Sequence, residues 1–130
     1  MLKLESVKSD LKAEREGAWV PCPEWEGVSF KVRSIEAPEF TMARDALLRR
    51  LSKKHKGDPI PPDDLTREIG IVYAKHILLG WKGLDKEYSE ALALEVLTDP
   101  AYRQVAKAIE DCSVKVGKSD AQFVEASAKN

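Results

Sequence analysis

The stretch "VSFKVRSI" (residues 28–35) decides the fold class of this chain, because its apolar and polar residues alternate. Val28, Phe30 and Val32 fall on one side, and this period of two predicts a half-buried β-strand. The preceding run "GAWVPC" (17–22) is a second candidate strand, and "PEWEG" (23–27) is the predicted hairpin loop between them. Pro21 cannot donate a hydrogen bond to a neighbouring strand, which predicts that the first strand lies at a sheet edge.

The residues before this hairpin fit two structures. In "LKLESVKSDLKAEREG" (2–17), Leu4, Val7 and Leu11 follow a helical spacing, whereas Leu2 and Leu4 alternate as in a strand. The sequence leaves both alternatives open. Residues 1–36 are therefore predicted to form a β-rich element whose first part has no assigned structure.

From Pro38 onward the apolar period becomes helical. The first predicted helix has Pro38 in its first turn and a core stripe of Phe40, Ala43, Leu47, Leu48 and Leu51. The proline-rich stretch "GDPIPPDD" (57–64) is a stiff connector. Asp63 or Asp64 is then the predicted cap of a second helix. Its stripe comprises Leu65, Ile69, Val72, His76 and Leu79, and Ile71 and Leu78 add a second apolar side, which predicts a widely buried helix.

Two further helices have clear start signals. Ser89 is the predicted cap of a short helix that runs through Leu97. Asp99 and Pro100 predict the start of the next helix, whose buried stripe comprises Val105, Ile109, Cys112 and Val116 and which Gly117 ends. Ser119 and Gln122 fit a capping box for a terminal helical turn or two.

These patterns predict one domain over residues 1–130, of the α+β class and mainly helical. It has a β-rich element (1–36) with a β-hairpin, a helical core (37–117) and a C-terminal helical tail (118–130), with about four helices after the hairpin. The chain has 130 residues, 43% of them hydrophobic and 33% charged, which is typical of a soluble globular domain. No apolar run approaches the roughly 20 residues of a membrane span, and the first residues have no signal-peptide core. We therefore expect a cytosolic protein.

The sequence offers little catalytic chemistry. It has no nucleophile-elbow serine and no glycine-rich phosphate loop, so we expect no catalytic, cofactor-binding or metal-binding residues and no enzymatic activity. His76 lies on an apolar stripe and is expected to be a hydrogen-bonded core residue, whereas His55 lies among lysines and is expected to be solvated. Cys22 and Cys112 are expected to be buried thiols, with a disulfide as the alternative.

Two features could contact a partner. The basic run at residues 49–56 (Arg49, Arg50, Lys53, Lys54 and Lys56) could bind phosphates of nucleic acid. It also lies at a helix end, where cations complement the helix dipole, and no aromatic residues interleave with it. The net charge of −1 provides no general attraction for nucleic acid. Trp19, Trp25 and Trp81 are either core residues or, if exposed, anchors for a protein partner.

The order of motifs resembles the tail assembly chaperones of long-tailed bacteriophages. The resemblance rests on "GAWVPCP…GVSFKVRSI", "HILLGWKGL" (76–84), "LTDPAYRQVAKAIEDC" (97–112) and the final "AKN" (128–130), and it covers nearly the whole chain. It implies a non-catalytic protein that coats the helix-rich tape measure protein, keeps it soluble and helps to recruit tail tube subunits. It further implies self-association, a location in the host cytoplasm and absence from the mature virion.

The resemblance also implies two products from one start codon. Ala128-Lys129-Asn130 and Val116-Gly117-Lys118 can each be encoded by a heptamer on which ribosomes slip back one base. The longer product would recruit tube subunits, and a terminal helix from Ser119 would join the two parts. The alternatives are a nucleic-acid-binding module that uses the basic run and a structural subunit of the tail or connector.

Overall fold

The computed structural model describes residues 1–118, and in that range it has five α-helices and three β-strands. The helices are α1 (Leu11–Glu16), α2 (Pro38–Lys54), α3 (Pro62–His76), α4 (Glu90–Thr98) and α5 (Arg103–Lys115). The strands are β1 (Ala18–Pro21), β2 (Ser29–Val32) and β3 (Leu78–Lys82). Short 3-10 turns at Leu4–Val7 and Pro100–Tyr102 precede α1 and α5. The predicted α+β class with a predominance of helix is confirmed.

The three strands form an antiparallel sheet in the order β1-β2-β3. In the predicted hairpin, Ala18 lies opposite Val32 and Pro21 opposite Ser29, so β1 is an edge strand, as Pro21 indicates. β3 pairs with the other side of β2, with Phe30 opposite Trp81. The central strand thus connects the N-terminal hairpin to a segment almost fifty residues later in the chain.

The core lies between the inner face of this sheet and the helices. Phe30 and Val32 on β2 and Ile109 and Cys112 on α5 are completely buried. Phe40 on α2 contacts Tyr73 on α3 edge to face, with 5.1 Å between the ring centroids. The sequence therefore predicted the inward faces of β2 and α5 correctly and that of α2 in part, since period-2 and period-3.6 patterns mark the buried face of each element.

Two predicted helix caps and one start signal are confirmed in detail. The Ser89 side chain accepts a hydrogen bond from the Leu92 amide at 3.0 Å, as expected of an N-cap. Asp99 accepts one from the Ala101 amide at 2.9 Å, and Pro100 begins a 3-10 turn that leads into α5. α2 begins at Pro38.

The predicted second helix differs from the structure at both ends. α3 starts at Pro62, so Asp63 and Asp64 lie in its first turn instead of capping it. It ends at His76, and Leu79, predicted to be helical, belongs to β3. The reason is that pairing with β2 supplies backbone hydrogen bonds to residues 78–82, and a short apolar run can satisfy either period. α3 is also less buried than predicted: Ile71, which was assigned to a second buried side of this helix, is 40% exposed.

Other differences concern exposure. Leu48, assigned to the core stripe of α2, is 39% exposed. In the N-terminal segment, the helical alternative is correct from Leu11 to Glu16, but Leu4 and Leu11 point away from the core and are exposed. The predicted capping box at Ser119 and Gln122, the terminal helix and the "AKN" site lie outside the described residues.

We predict that Ile109→Ala destabilises the protein by about 2–5 kcal/mol, because it leaves a cavity at a side chain that is fully buried. Val114→Ala on the same helix is the matched control, since Val114 is 40% exposed. Urea unfolding followed by circular dichroism measures both. Equal unfolding midpoints for the two variants would contradict the assignment of the buried face of α5.

Candidate partner-binding surface

The three tryptophans have different environments. Trp81 on β3 is only 7% exposed and packs edge to face on Tyr88, with 5.3 Å between the ring centroids. Its indole N–H donates a hydrogen bond to the Lys86 carbonyl at 2.8 Å, which satisfies its one polar atom. The core-packing interpretation therefore applies to Trp81.

Trp19 is 42% exposed but has a role within the fold. Its indole lies across the outer face of the sheet, where a side chain on Gly80 would contact it at 3.4 Å. The Lys82 ammonium lies 4.0 Å from the centroid of the Trp19 ring, a cation–π distance. Gly80 in "GWKG" thus leaves room for an aromatic ring that covers the β3 backbone, a recognised way to shield a glycine in a sheet.

Trp25, in the hairpin loop, is half-buried and faces α5. It lines a groove of about 460 Å³ whose other wall is formed by residues of α5. The lining residues are Glu24, Trp25, Arg103, Gln104, Lys107 and Ala108. Of the three tryptophans, Trp25 has the position best suited to contact a partner that lies along α5.

A second groove runs along the other side of α5 and is here named the α3–α5 groove. Its volume is about 280 Å³, and Arg103 and Lys107 form the ridge that separates it from the Trp25 groove. Its floor is mainly apolar and its rim is charged; the lining residues are Thr66, Ile69, Gly70, Tyr73, Leu97, Asp99, Arg103, Ala106, Lys107 and Glu110. The sequence did not single out this groove, since its walls come from three separate elements.

The packing of α3 on α4 explains the α3–α5 groove. A Cβ at Gly70 would overlap the carbonyl group of Leu97, so only glycine permits this approach of the two helices. α5 packs mainly on α4 and on the strands β1 and β2, and the space between α3 and α5 stays open. An isolated glycine in the apolar pattern of α3 is the one sequence signal of this close contact.

The α3–α5 groove has an apolar floor that can bind apolar groups. Burial and the nearby Glu110 carboxylate raise the pKa of Tyr73 to about 12, so its hydroxyl is neutral at physiological pH. Lys107 forms an ion pair of 3.2 Å with Asp111, one turn away on the same helix. The volume lies at the lower limit of the about 300–1,000 Å³ typical of small-molecule pockets, so the groove suits protruding side chains of a protein partner better.

Both cysteines are buried thiols, as expected. Burial raises the pKa of Cys112 to about 11, and the neighbouring Cys22 adds to this effect. The Cys22 thiol donates a hydrogen bond of 3.0 Å to the Glu24 carboxylate, and burial together with this bond raises the pKa of Cys22. Raised pKa values are the opposite of what an activated cysteine nucleophile requires.

The histidines differ from the expectations. His76 is half-buried at the C-terminal end of α3 instead of in the core, and burial together with Lys75 and Arg33 lowers its pKa. His55 is half-buried instead of solvated, and its Nε2 has no hydrogen-bond partner among residues 1–118. In the same range, no group of three or more His, Cys, Asp or Glu side chains could hold a metal ion.

The basic run lies at the end of α2, as predicted. Arg49, Arg50, Lys53 and Lys56 line a shallow surface hollow of about 720 Å³ without an aromatic residue. Arg50 forms an ion pair of 3.0 Å with Glu68 on α3. One of the five basic side chains is therefore paired within the fold.

Comparison with known proteins identifies the family. Residues 35–130, more than half of the chain, match the family described as YdaY prophage protein. The chain belongs to this family. It is therefore a prophage-derived protein, which agrees with the phage context of the sequence resemblance. No curated protein matches the chain, and no solved structure matches it.

The YdaY match includes every residue of the α3–α5 groove, since these lie between Thr66 and Glu110. It starts after β2 and therefore excludes Trp19 and Trp25. Within residues 1–118, no helix has the length and apolar character needed to cross a membrane. The α3–α5 groove and the basic run both lie wholly in the part of the chain that matches the family.

We predict that iodoacetamide at pH 8 modifies Cys112 about 100-fold more slowly in the folded protein than in denaturant. The raised pKa, about 11 instead of 9.0, reduces the thiolate fraction by this factor, and burial slows the reaction further. Mass spectrometry of peptides after timed labelling measures both rates. Equal rates in the two conditions would contradict the buried position of Cys112.

We predict that Lys53→Glu combined with Lys54→Glu leaves duplex DNA binding unchanged at physiological salt, because we expect no such binding by the natural protein. A fluorescently labelled duplex in an anisotropy titration tests this. Micromolar affinity that weakens steeply with salt and disappears in the double variant would instead support nucleic-acid binding.

Proposed function

We propose that this YdaY-family protein is a non-catalytic tail assembly chaperone that binds the tape measure protein of its prophage and keeps it soluble. The observation that carries the proposal is the α3–α5 groove, an apolar-floored site built wholly from the residues that match the family. The sequence resemblance to tail assembly chaperones supports the choice of partner. The protein would act in the host cytoplasm and be absent from the mature virion.

The chemistry of the groove fits an amphipathic helix. Ile69 and Tyr73 are spaced by four residues on α3, so their side chains follow one another along the floor. Charged residues of both signs, Asp99, Arg103, Lys107 and Glu110, surround this floor. An apolar helix face flanked by polar residues matches such a groove in the helix-in-groove mode. A tape measure chain would present many such faces before the tail tube encloses it, and exposed apolar faces of this kind aggregate.

Multiple weak contacts suit a chaperone that must later be displaced. A small groove provides little buried area, so each contact is weak, but many copies along one long chain would cover it together. Self-association of neighbouring copies would strengthen this coat, as the sequence resemblance implies. Recruitment of tail tube subunits would belong to a longer product that continues beyond Asn130 by frameshifting, and the gene sequence at residues 116–118 and 128–130 tests that part.

We expect co-expression with the tape measure protein of the same prophage to move the latter from the insoluble to the soluble fraction. Ala106→Glu places a carboxylate in the floor of the groove and should abolish this effect, because the charge would be buried against the partner. Ala91→Glu, on an exposed position of α4, is the matched control and should retain full activity. Gel analysis of the two fractions gives the soluble share.

Two controls accompany this test, and two outcomes would contradict the proposal. Circular dichroism melting must show that Ala106→Glu is folded; Thr66→Glu at the groove wall replaces it if it is not. Solubilisation should persist at high salt, since apolar contacts are not weakened by screening. An insoluble tape measure protein in the presence of well-expressed natural chain would contradict the chaperone function. Equal solubilisation by Ala106→Glu and Ala91→Glu would contradict the groove as its site.

A further inference from the structure

The α3–α5 groove and the Trp25 groove share one wall. Arg103 and Lys107 on α5 line both of them, and both side chains are exposed. They are four positions apart, so they follow one another along one face of the helix and are here named the α5 ridge. The two grooves are therefore neighbouring hollows on either side of a single raised helix face.

The spacing of the two grooves fits two helices that lie side by side. An α-helix turns by about 100° per residue, so the α5 residues that line the two grooves are centred about 80° apart around its axis. Two partner helices, each packed about 9 Å from that axis, would lie about 12 Å from one another, close to the about 8–10 Å between directly packed helices. One helix alone fills only one groove, because the α5 ridge stands between them.

The Trp25 groove has an anchor that the fold already holds in place. The hairpin loop that carries Trp25 is closed by two backbone hydrogen bonds: the Cys22 amide donates to the Val28 carbonyl at 2.8 Å, and the Val28 amide donates to the Trp25 carbonyl at 3.1 Å. The Cys22 thiol also donates to the Glu24 carboxylate at 3.0 Å. A tryptophan held in this way loses little conformational freedom on binding, and tryptophan is enriched among the residues that contribute most to interfaces. The groove is thus suited to receive apolar side chains of a partner.

The α5 ridge is basic, and the acids Glu110 and Asp111 follow it within one turn. Lys107 forms an ion pair of 3.2 Å with Asp111, but its side chain is 67% exposed. Such surface pairs contribute little to stability, so the Lys107 charge can also be used by a partner. In paired helices, charged residues flank the apolar seam. Acidic residues beside that seam would meet Arg103 and Lys107 in the middle of the contact.

We propose that the α5 ridge inserts between two adjacent helices of the partner, with one helix in the α3–α5 groove and the other in the Trp25 groove. The recognised segment is then a pair of helices with acidic residues beside the seam that faces α5. This inference rests on the proposed function, whose partner is the tape measure protein, and it adds the Trp25 groove to the binding site. Two grooves used together also bury more area than the small α3–α5 groove alone.

Trp25→Ala tests the contribution of the second groove. The complex is co-purified through a tagged tape measure protein and immobilised, and the release of the chain is followed over time. We expect Trp25→Ala to accelerate release at least tenfold. Trp19→Ala is the matched control, because it removes the other tryptophan of the same hairpin from outside both grooves and should leave the rate within twofold. Circular dichroism melting shows whether both variants are folded.

Photo-cross-linking tests the helix pair with all three tryptophans in place. The photoreactive residue p-benzoylphenylalanine replaces Gln104, which lines only the Trp25 groove, and Thr66, which lines only the α3–α5 groove. We expect each position to cross-link to the tape measure protein, and the same probe at Ala91 on α4 to give no cross-link. A chain with both probes should join two helices, which are either two tape measure chains or two segments of one chain separated by a loop.

Several results would overturn the helix-pair inference and leave the chaperone function intact. One is release of folded Trp25→Ala at the natural rate, and another is cross-linking from Thr66 but not from Gln104. Two cross-links within one continuous helix of one tape measure chain would also overturn it, and so would cross-links from Gln104 to residues 119–130 of the chain itself. Failure of the natural chain to solubilise the tape measure protein would instead contradict the proposed function, and this inference with it.

Discussion

The central strand β2 is the constraint on which the rest of the structure depends. Its inward side chains Phe30 and Val32 are completely buried, and its two edges pair with β1 and β3. Burying two such side chains contributes on the order of 3–6 kcal/mol before entropy is counted. Beyond the strand, Arg33 holds the next elements: its guanidinium donates to the Arg15 carbonyl at 2.8 Å and to the His76 carbonyl at 3.3 Å. The ends of α1 and α3 therefore meet at β2.

The helices arrange themselves around this strand through a few close contacts. Gly70 allows α3 to approach α4, and the Phe40–Tyr73 pair joins α2 to α3. α5 is held separately, by Ile109 and Cys112 against the sheet. Because α3 and α5 take their main partners elsewhere, their facing surfaces remain apart and form the α3–α5 groove. The α3–α5 groove therefore results from the packing of α3 and α5 on different partners in the core.

The YdaY family match shows that the chain is prophage-derived, and the α3–α5 groove is the observation on which the proposed function rests. The region that matches the family contains this groove, with an apolar floor and a rim of mixed charge. The two ends of α5 have different environments. One end adjoins the groove proposed for the partner, and the other adjoins the outer edge of β1.

The sequence by itself determined the elements whose period is unambiguous. Alternation marked β2 and its buried face, the spacing of Phe40, Leu47 and Leu51 marked α2, and Ser89 and Asp99 marked helix starts, since these signals depend on neighbouring residues. Tertiary structure alone decided that Leu78–Lys82 is a strand, because a partner strand far away in sequence supplies its hydrogen bonds. It also decided which tryptophan is buried: Trp81 lies opposite Phe30 on the inner face, and Trp19 lies outside over Gly80. Tertiary structure alone also decided the grooves, because residues of different elements meet there only when the core has formed.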